Sequence, residues 1–238
     1  MRLAFISDIH GNALALDAVL NDIQSRNVDK IAVLGDFCFR GPEPKRSLEL
    51  VRKITTDVLK GNADEWVVRG VDEGEVPDAA LEIMKKEREW SFSKLDDEAI
   101  DYLKNLPTEL NFQHNGVNIH AFHATPDSLF EIVKPDDKDE TIVEKLMKKE
   151  ADIYIYAHIH KPFIRFINGK CIINTGSVGL PFDGQNKSSY ALIDIGEDDY
   201  ESTIVRVSYD VQKVIKQFDE MDYPNSELMI TLLEQAKV

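Results

Sequence analysis

Leu3–Ile6 and Ile31–Leu34 are short apolar runs, and the stretch between them, Ala13–Ile23, repeats apolar residues at helical spacing: Leu16, Val19, Leu20 and Ile23. A strand, a helix and a strand in that order bury their apolar faces together when the helix crosses over a sheet in which both strands lie parallel. The chain therefore starts as an α/β protein. Pro42 and Pro44 introduce a further helix over Ser47–Ile54, and Val58–Leu59 read as another short strand.

Residues 75–106 break this rhythm, with helical spacing at Leu81, Met84, Trp90, Phe92, Leu95, Ile100 and Leu103. Ser93 is the expected N-cap of a helix that holds Asp96 and Asp97. The stretch predicts a helical insertion laid over a sheet. After Pro107 the pattern turns to strands, and "ELNFQHNGVNIHAFH" and "FIRFINGKCIIN" each place Asn-Gly between apolar runs, the strongest short hairpin signal. "YALIDIG" and "STIVRVSYD" add strands, and Val211–Phe218 and Glu227–Ala236 close the chain as helices.

With 43% apolar and 30% charged residues among 238, the chain has the composition of a globular protein with a real core. No linker divides it, so one domain is expected over residues 1–238, carrying the insertion at about 75–106. Cys38 and Cys171 make no CxxC pair and read as buried thiols in a reducing compartment. The first apolar run is too short for a signal peptide or a membrane span, so a cytoplasmic protein without membrane attachment is expected. The net charge of −15, with no basic stripe, argues against a nucleic-acid polymer as partner. Oligomeric state has no signal.

The chemistry lies where the strands end. "FISDIHGN", "IAVLGDF", "VLKGNAD", "IHAFHATP" and "IYIYAHIH" each finish in Asp, Asn or His, and in open α/β sheets sites collect at the carboxyl ends of strands. On an extended strand residues i and i+2 share a face, which would pair Asp8 with His10 and His158 with His160. His123 is chosen over His120 because it sits where its strand breaks before Pro126; His120 reads as a hydrogen-bonded core residue and His114 as solvated. The set Asp8, His10, Asp36, Asn62, His123, His158 and His160 offers nitrogen and oxygen donors without thiolate, which suits Zn²⁺, Mn²⁺ or Fe better than Ca²⁺. So many donors exceed one tetrahedral ion and fit two ions sharing a carboxylate, with Asp36 the natural bridge. Two divalent ions against the two carboxylates leave about +2 before water binds, which gives an acidic protein a local phosphate trap. The implied reaction is hydrolysis by in-line attack of a hydroxide bridging the two metals.

These pieces resemble the calcineurin-like metallophosphoesterases. "DIH", "GDFCFRGP", "GNAD", "FHATP" and "AHIH" follow, in order, the family pattern DxH, GDxxxRG, GNH(D/E), H and GHxH. "INTGSVGLPFDG" is similar to the Asn-Pro-Gly-Ser-Val-Gly loop of the small bacterial YfcE-like phosphodiesterase branch. The resemblance implies a four-layer αββα sandwich of two mixed β-sheets flanked by helices, with a small helical cap. It implies two divalent transition ions, manganese first and iron, zinc or nickel as alternatives: Asp8, His10, Asp36 and His160 would hold one, and Asp36, Asn62, His123 and His158 the other. Arg40 matches the family arginine near the phosphate and would bind substrate, with a plain salt bridge to Glu43 or Asp64 as the competing reading.

The departures carry information. Ala63 stands where the family has the histidine that protonates the leaving group, so the general acid is unknown: either leaving groups of low pKa are favoured or a proton donor is recruited from elsewhere. Ala157 replaces a glycine, Thr175 a proline, and Phe182 a basic residue; Phe182 would stack on a substrate ring or pack on its own hairpin. The expected function is a phosphoesterase acting on a small phosphate ester, most readily a diester. The rivals are a noncatalytic interaction scaffold of the same fold, a protein Ser/Thr phosphatase and a dinucleoside polyphosphate hydrolase. A scaffold need not retain every donor, and the two enzyme rivals usually keep the histidine missing here.

Overall fold

The computed structural model describes residues 1–237. In chain order the elements are β1 (Arg2–Ile6), α1 (Ala13–Ser25), β2 (Lys30–Val33), α2 (Pro44–Ile54), α3 (Asn62–Arg69), α4 (Asp78–Ser93), α5 (Asp97–Lys104), β3 (Glu109–His114), β4 (Val117–Phe122), α6 (Asp139–Leu146), β5 (Ile153–Tyr156), β6 (Phe163–Ile167), β7 (Lys170–Asn174), β8 (Ser188–Ile195), β9 (Tyr200–Val207), α7 (Val211–Glu220) and α8 (Ser226–Gln235). One sheet has the order β2-β1-β8-β9 and the other β3-β4-β5-β7-β6. Both are mixed: β1 pairs parallel with β2 and antiparallel with β8, while β5 lies parallel to both β4 and β7.

Alternation explains the layers. Leu3 and Phe5 of β1 point into the space between the sheets, against Ile119, Ile153, Ile155 and Ile173. Ala4 and Ile6, one residue out of phase, face α1 through Leu16 and Val19. Across the second sheet Tyr154, Tyr156 and Ile172 meet Ile142 and Leu146 of α6. The result is the four-layer αββα sandwich. Complete burial of a side chain such as Phe5 contributes about 1.5–3 kcal/mol, so the inter-sheet layer helps hold the strand ends in register.

Both Asn-Gly pairs form the expected hairpin turns, with positive φ at Asn115 (45°) and Gly116 (79°) and at Asn168 (51°) and Gly169 (76°). Two expectations need correction. Val58–Leu59 is not a strand but an isolated parallel bridge from Val58 to Val33, because the chain turns into α3 at Gly61 before a ladder can grow. Ser93 ends α4, and the N-cap of α5 is Asp96, whose carboxylate accepts from the Ala99 N–H at 2.9 Å ahead of the acidic residues Asp97 and Glu98. Asn62, whose place after Gly61 would by itself suit a turn, opens α3. Helix α6 had no counterpart in the sequence reading. Among the described residues no helix is long and apolar enough to cross a membrane.

Candidate metal centre

Strands β1 and β2 stop, but their backbones stay zipped. Leu34 N–H donates to Ile6 C=O at 2.8 Å, Asp8 to Gly35 at 3.1 Å, His10 to Asp36 at 2.9 Å and Gly11 to Phe37 at 2.6 Å. Asp8, His10 and Asp36 are thus brought together by backbone pairing beyond the last regular residue. Strand parity does not aim them: Asp8 (φ 50°), His10 (48°), Asp36 (62°), His158 (67°) and His160 (55°) all adopt left-handed backbone, past the ends of β1, β2 and β5. The shared-face argument for Asp8/His10 and His158/His160 therefore fails, since period two holds only in extended chain. Such conformations cost on the order of 1 kcal/mol or more each and persist where the surroundings over-determine them. Two close approaches do so here: a Cβ at Gly41 would lie 1.7 Å from the His10 carbonyl oxygen, and one at Gly179 would lie 1.8 Å from that of Ile9.

Each carboxylate has one oxygen tied and one left over. Asp8 Oδ2 accepts from Ser7 Oγ at 2.6 Å, and Ser7 is held in turn by Thr175 Oγ1 at 2.7 Å; Asp8 Oδ1 is buried with no hydrogen-bond partner. Asp36 Oδ1 accepts from the Ala63 N–H at 2.8 Å, while Oδ2 faces His10 Nε2 at 3.7 Å and His123 Nε2 at 3.5 Å. The imidazoles are oriented the same way. His10, His123 and His160 each donate from Nδ1 to a carbonyl, of Phe39 (2.8 Å), Leu34 (2.7 Å) and Leu180 (2.5 Å). In a neutral ring this leaves a lone pair on Nε2.

Those lone pairs converge in two sets. In the first, His10 Nε2 and His160 Nε2 are 3.1 Å apart and Asp8 Oδ1 is 3.2 Å from the latter; with Asp36, the ligand atoms all lie within 4.8 Å of one another. In the second, Asn62 Oδ1 is 2.9 Å from His123 Nε2 and 2.8 Å from His158 Nδ1, with Asp36 adjoining. Acceptors gathered this closely repel until cations stand between them, so these donors fit divalent metal ions. Asp36 adjoins both sets, and the residues picked from the sequence all converge here.

Electrostatics agree. Burial, reinforced by His160, holds the His10 pKa down at about 3, and burial with His123 does the same for His158, also at about 3. Both rings are neutral at pH 7, the form in which an imidazole can hold a metal ion. Burial and the Asp8 carboxylate push Asp36 well above the usual range, whereas in Asp8 burial is outweighed by His160 and the neighbouring histidines, which hold it low. A consequence is measurable without metal. Depressed folded-state pKa values mean that the unfolded chain takes up these two protons first, from the ordinary 6.5 downward. Denaturant titrations of chelator-treated protein are therefore expected to show full stability above about pH 6.5 and progressive loss toward pH 3, with these histidines adding up to about 2.7 kcal/mol per pH unit to the slope.

Arg40 pairs with neither Glu43 nor Asp64. Its Nε lies 3.2 Å from Oε2 of Glu87, a buried residue of α4 whose Oε1 accepts from Asn225 Nδ2 at 2.8 Å, while Glu43 is taken by Arg46 at 3.2 Å. The cap helix and the loop before α8 thus hold the guanidinium at the wall of the site. Phe182 stacks its ring on His160 at 4.4 Å and 15° and also packs against the cluster that holds Leu180 of its own loop with Val214 and Phe218. His120 is a core residue bonded to Glu109 at 2.8 Å, and His114 is half-buried, not fully solvated. Cys38 and Cys171 are buried free thiols.

Sequence reasoning missed Asp64, which accepts from the N–H groups of Asp36 (2.7 Å), Phe37 (2.9 Å) and Gly61 (3.0 Å). The run Gly61-Asn62-Ala63-Asp64-Glu65, with acidic residues in a first turn, is the signal that could have located both α3 and this carboxylate. Two cavities meet at the donors. One, of about 380 Å³, lies against α4 with Phe39, Trp66, Pro77 and Met84 in its wall beside Arg40; the other, of about 490 Å³, opens on the far side, and His158 and Phe182 line both.

The fold and the donor set define a metallophosphoesterase. The sequence profile of the Calcineurin-like phosphoesterase superfamily domain matches residues 1–198, and the chain belongs to that family. It is 33% identical over 230 residues to the uncharacterized protein MJ0912 of Methanocaldococcus jannaschii, covering 89% of each chain. A metallophosphoesterase from Sphaerobacter thermophilus superposes with a TM-score of 0.80 at 26% identity, over 99% of this chain and 100% of that one. The hypothetical protein PH1004 from Pyrococcus horikoshii superposes with a TM-score of 0.83 at 22% identity, over 100% and 99%, and shares the fold.

Proposed function

We propose that the protein is a phosphodiesterase working with two divalent metal ions. The observation that carries this reading is the pair of donor sets with Asp36 adjoining both, in which Asp8, His10, Asp36, His123 and His160 each have their second polar atom tied elsewhere. When bound, the ions would lower the pKa of a shared water toward about 7 and neutralise the phosphoryl oxygens. In the balanced reaction the water oxygen bonds to phosphorus, one ester P–O bond breaks, a proton passes to the departing oxygen, and a monoester and an alcohol result. The residues' own tasks are to orient the donors and, through Arg40, to hold a phosphoryl oxygen.

A diester is favoured over a monoester because a cavity lies on each side of the donors, one for each arm. Ala63 lines the first cavity, and apart from the proposed ligands Arg40 is the titratable side chain in that wall. An arginine stays protonated and is a poor acid, so departing groups must leave with little help. Metal analysis should find two ions per chain, with manganese first to be tried. Hydrolysis of para-nitrophenyl phenyl phosphate should be lost on chelation and restored by metal, and rates should fall steeply as the leaving group's pKa rises. One ion per chain, or no metal-dependent hydrolysis of any aryl diester, would overturn the reading.

A further inference from the structure

The second cavity has a chemistry of its own. Its apolar lining comes from Ile132, Ile159 and Phe182, and its cations are Lys134 and Lys161. Ile132 is an aliphatic residue left 56% exposed in the groove. Asp136 is the one carboxylate in the lining, so the groove carries a net charge of about +1 in a chain of −15. Nearby lysines are neutralised, Lys145 by Glu131 at 2.9 Å and Lys148 by Asp127 at 3.0 Å, whereas Lys134 and Lys161 form no ion pair among the described residues.

The wall is also built. Tyr156, from β5, donates its hydroxyl to the Val133 carbonyl at 2.8 Å, and Arg165, from β6, donates to the carbonyls of Pro135 (2.9 Å) and Asp137 (2.8 Å). The segment that bears Ile132, Lys134 and Asp136 is therefore fixed to the second sheet by two side chains, and its ordering cost is met before any ligand arrives. The floor is Phe182, a ring already stacked on His160, so one of its faces is turned toward the metal ligands.

We infer that this groove is the subsite for the second arm of the diester, and that the arm it fits is a flat ring bearing an anionic substituent of its own. The inference rests on the diesterase reading for where the phosphorus sits, and on the groove itself for the arm. Aliphatic and aromatic walls take the ring by burial. The two unpaired ammoniums take the added charge, which elsewhere on this acidic protein would be repelled.

The test separates the two readings by measuring binding as well as turnover. Calorimetric titration of the metal-loaded protein with phenylphosphonate and with para-carboxyphenylphosphonate compares arms that differ only in charge and cannot be hydrolysed. The carboxylated probe is expected to bind about fivefold more tightly at low salt, a ratio that shrinks as salt screens the groove. The double variant Lys134→Gln/Lys161→Gln should bring that ratio close to one, and each single variant should lower it; Lys148→Gln, which removes a lysine outside the groove, should leave it as in the parent. Equal binding of the two probes by the parent, or a ratio that survives in the double variant, overturns the inference. With para-nitrophenyl diesters of the same two arms, the same ratio should appear in KM. Failure to hydrolyse either ester would count against the diesterase reading, while the phosphonate ratio decides the groove.

Discussion

Replacing Asp36 by asparagine is expected to lower aryl diester hydrolysis by at least about 10³-fold, the loss of several kcal/mol of metal-derived stabilisation, and to leave fewer than two ions per chain. The amide keeps an oxygen for the Ala63 N–H and nearly the same volume, so the fold survives. What it loses is the anionic Oδ2 that faces His10 at 3.7 Å and His123 at 3.5 Å, the atom common to both donor sets. The stability of the metal-free protein should move the other way. Asp36 is pushed well above its ordinary pKa by burial and by Asp8, so ionising it at neutral pH opposes folding. Chelator-treated Asp36→Asn should therefore melt above chelator-treated parent and gain less on adding metal. Thermal melts with and without metal, set beside metal content, check both signs. A variant that still holds two ions per chain would show that Asp36 is not their bridge.

What was legible in the sequence follows from which forces are local. The strands of both hairpins could be placed because Asn115-Gly116 and Asn168-Gly169 supply the left-handed residues that a tight turn demands, and that demand is written within two positions. The metal-directed residues could be found because each stands just after an apolar run, where a sheet must end. How they are aimed could not be read. Asp8, His10, His158 and His160 lie in left-handed backbone that non-glycine residues rarely adopt without tertiary constraint, and around Ile9 and His10 that constraint includes the close approach of Gly41 and Gly179, far away in the chain. The same limit hid the partner of Arg40. Glu43 is three residues away in sequence and was a natural choice, but the cap places Glu87 against the guanidinium, and its burial leaves no competing solvent. Ser7, which holds one oxygen of Asp8, and Thr175, which holds Ser7, follow strands of different sheets and carry no pattern that a single sequence displays.

Asp64→Ala should expose a different dependence, one of architecture rather than of metal. Its carboxylate takes the N–H groups of Asp36, Phe37 and Gly61, three donors on two separate loops, and it is completely buried. Alanine leaves all three without partners. An orphaned buried donor costs about 1–3 kcal/mol, so a loss of about 3–9 kcal/mol is expected, a large share of the roughly 5–15 kcal/mol that holds a domain together. Burial and the nearby Asp36 raise the Asp64 pKa to about 7. Asp64→Asn, which retains one acceptor oxygen and no charge, should fall between parent and alanine. Denaturant midpoints of the chelator-treated proteins measure this. Because the carboxylate also fixes the backbone from which the Asp36 side chain projects, at φ 62°, the alanine variant should lose metal affinity together with stability, and added metal should not restore the parental midpoint. In Asp36→Asn the two properties separate; in Asp64→Ala they fall together. A chelator-treated Asp64→Ala protein as stable as the parent would mean that these three N–H groups find other acceptors.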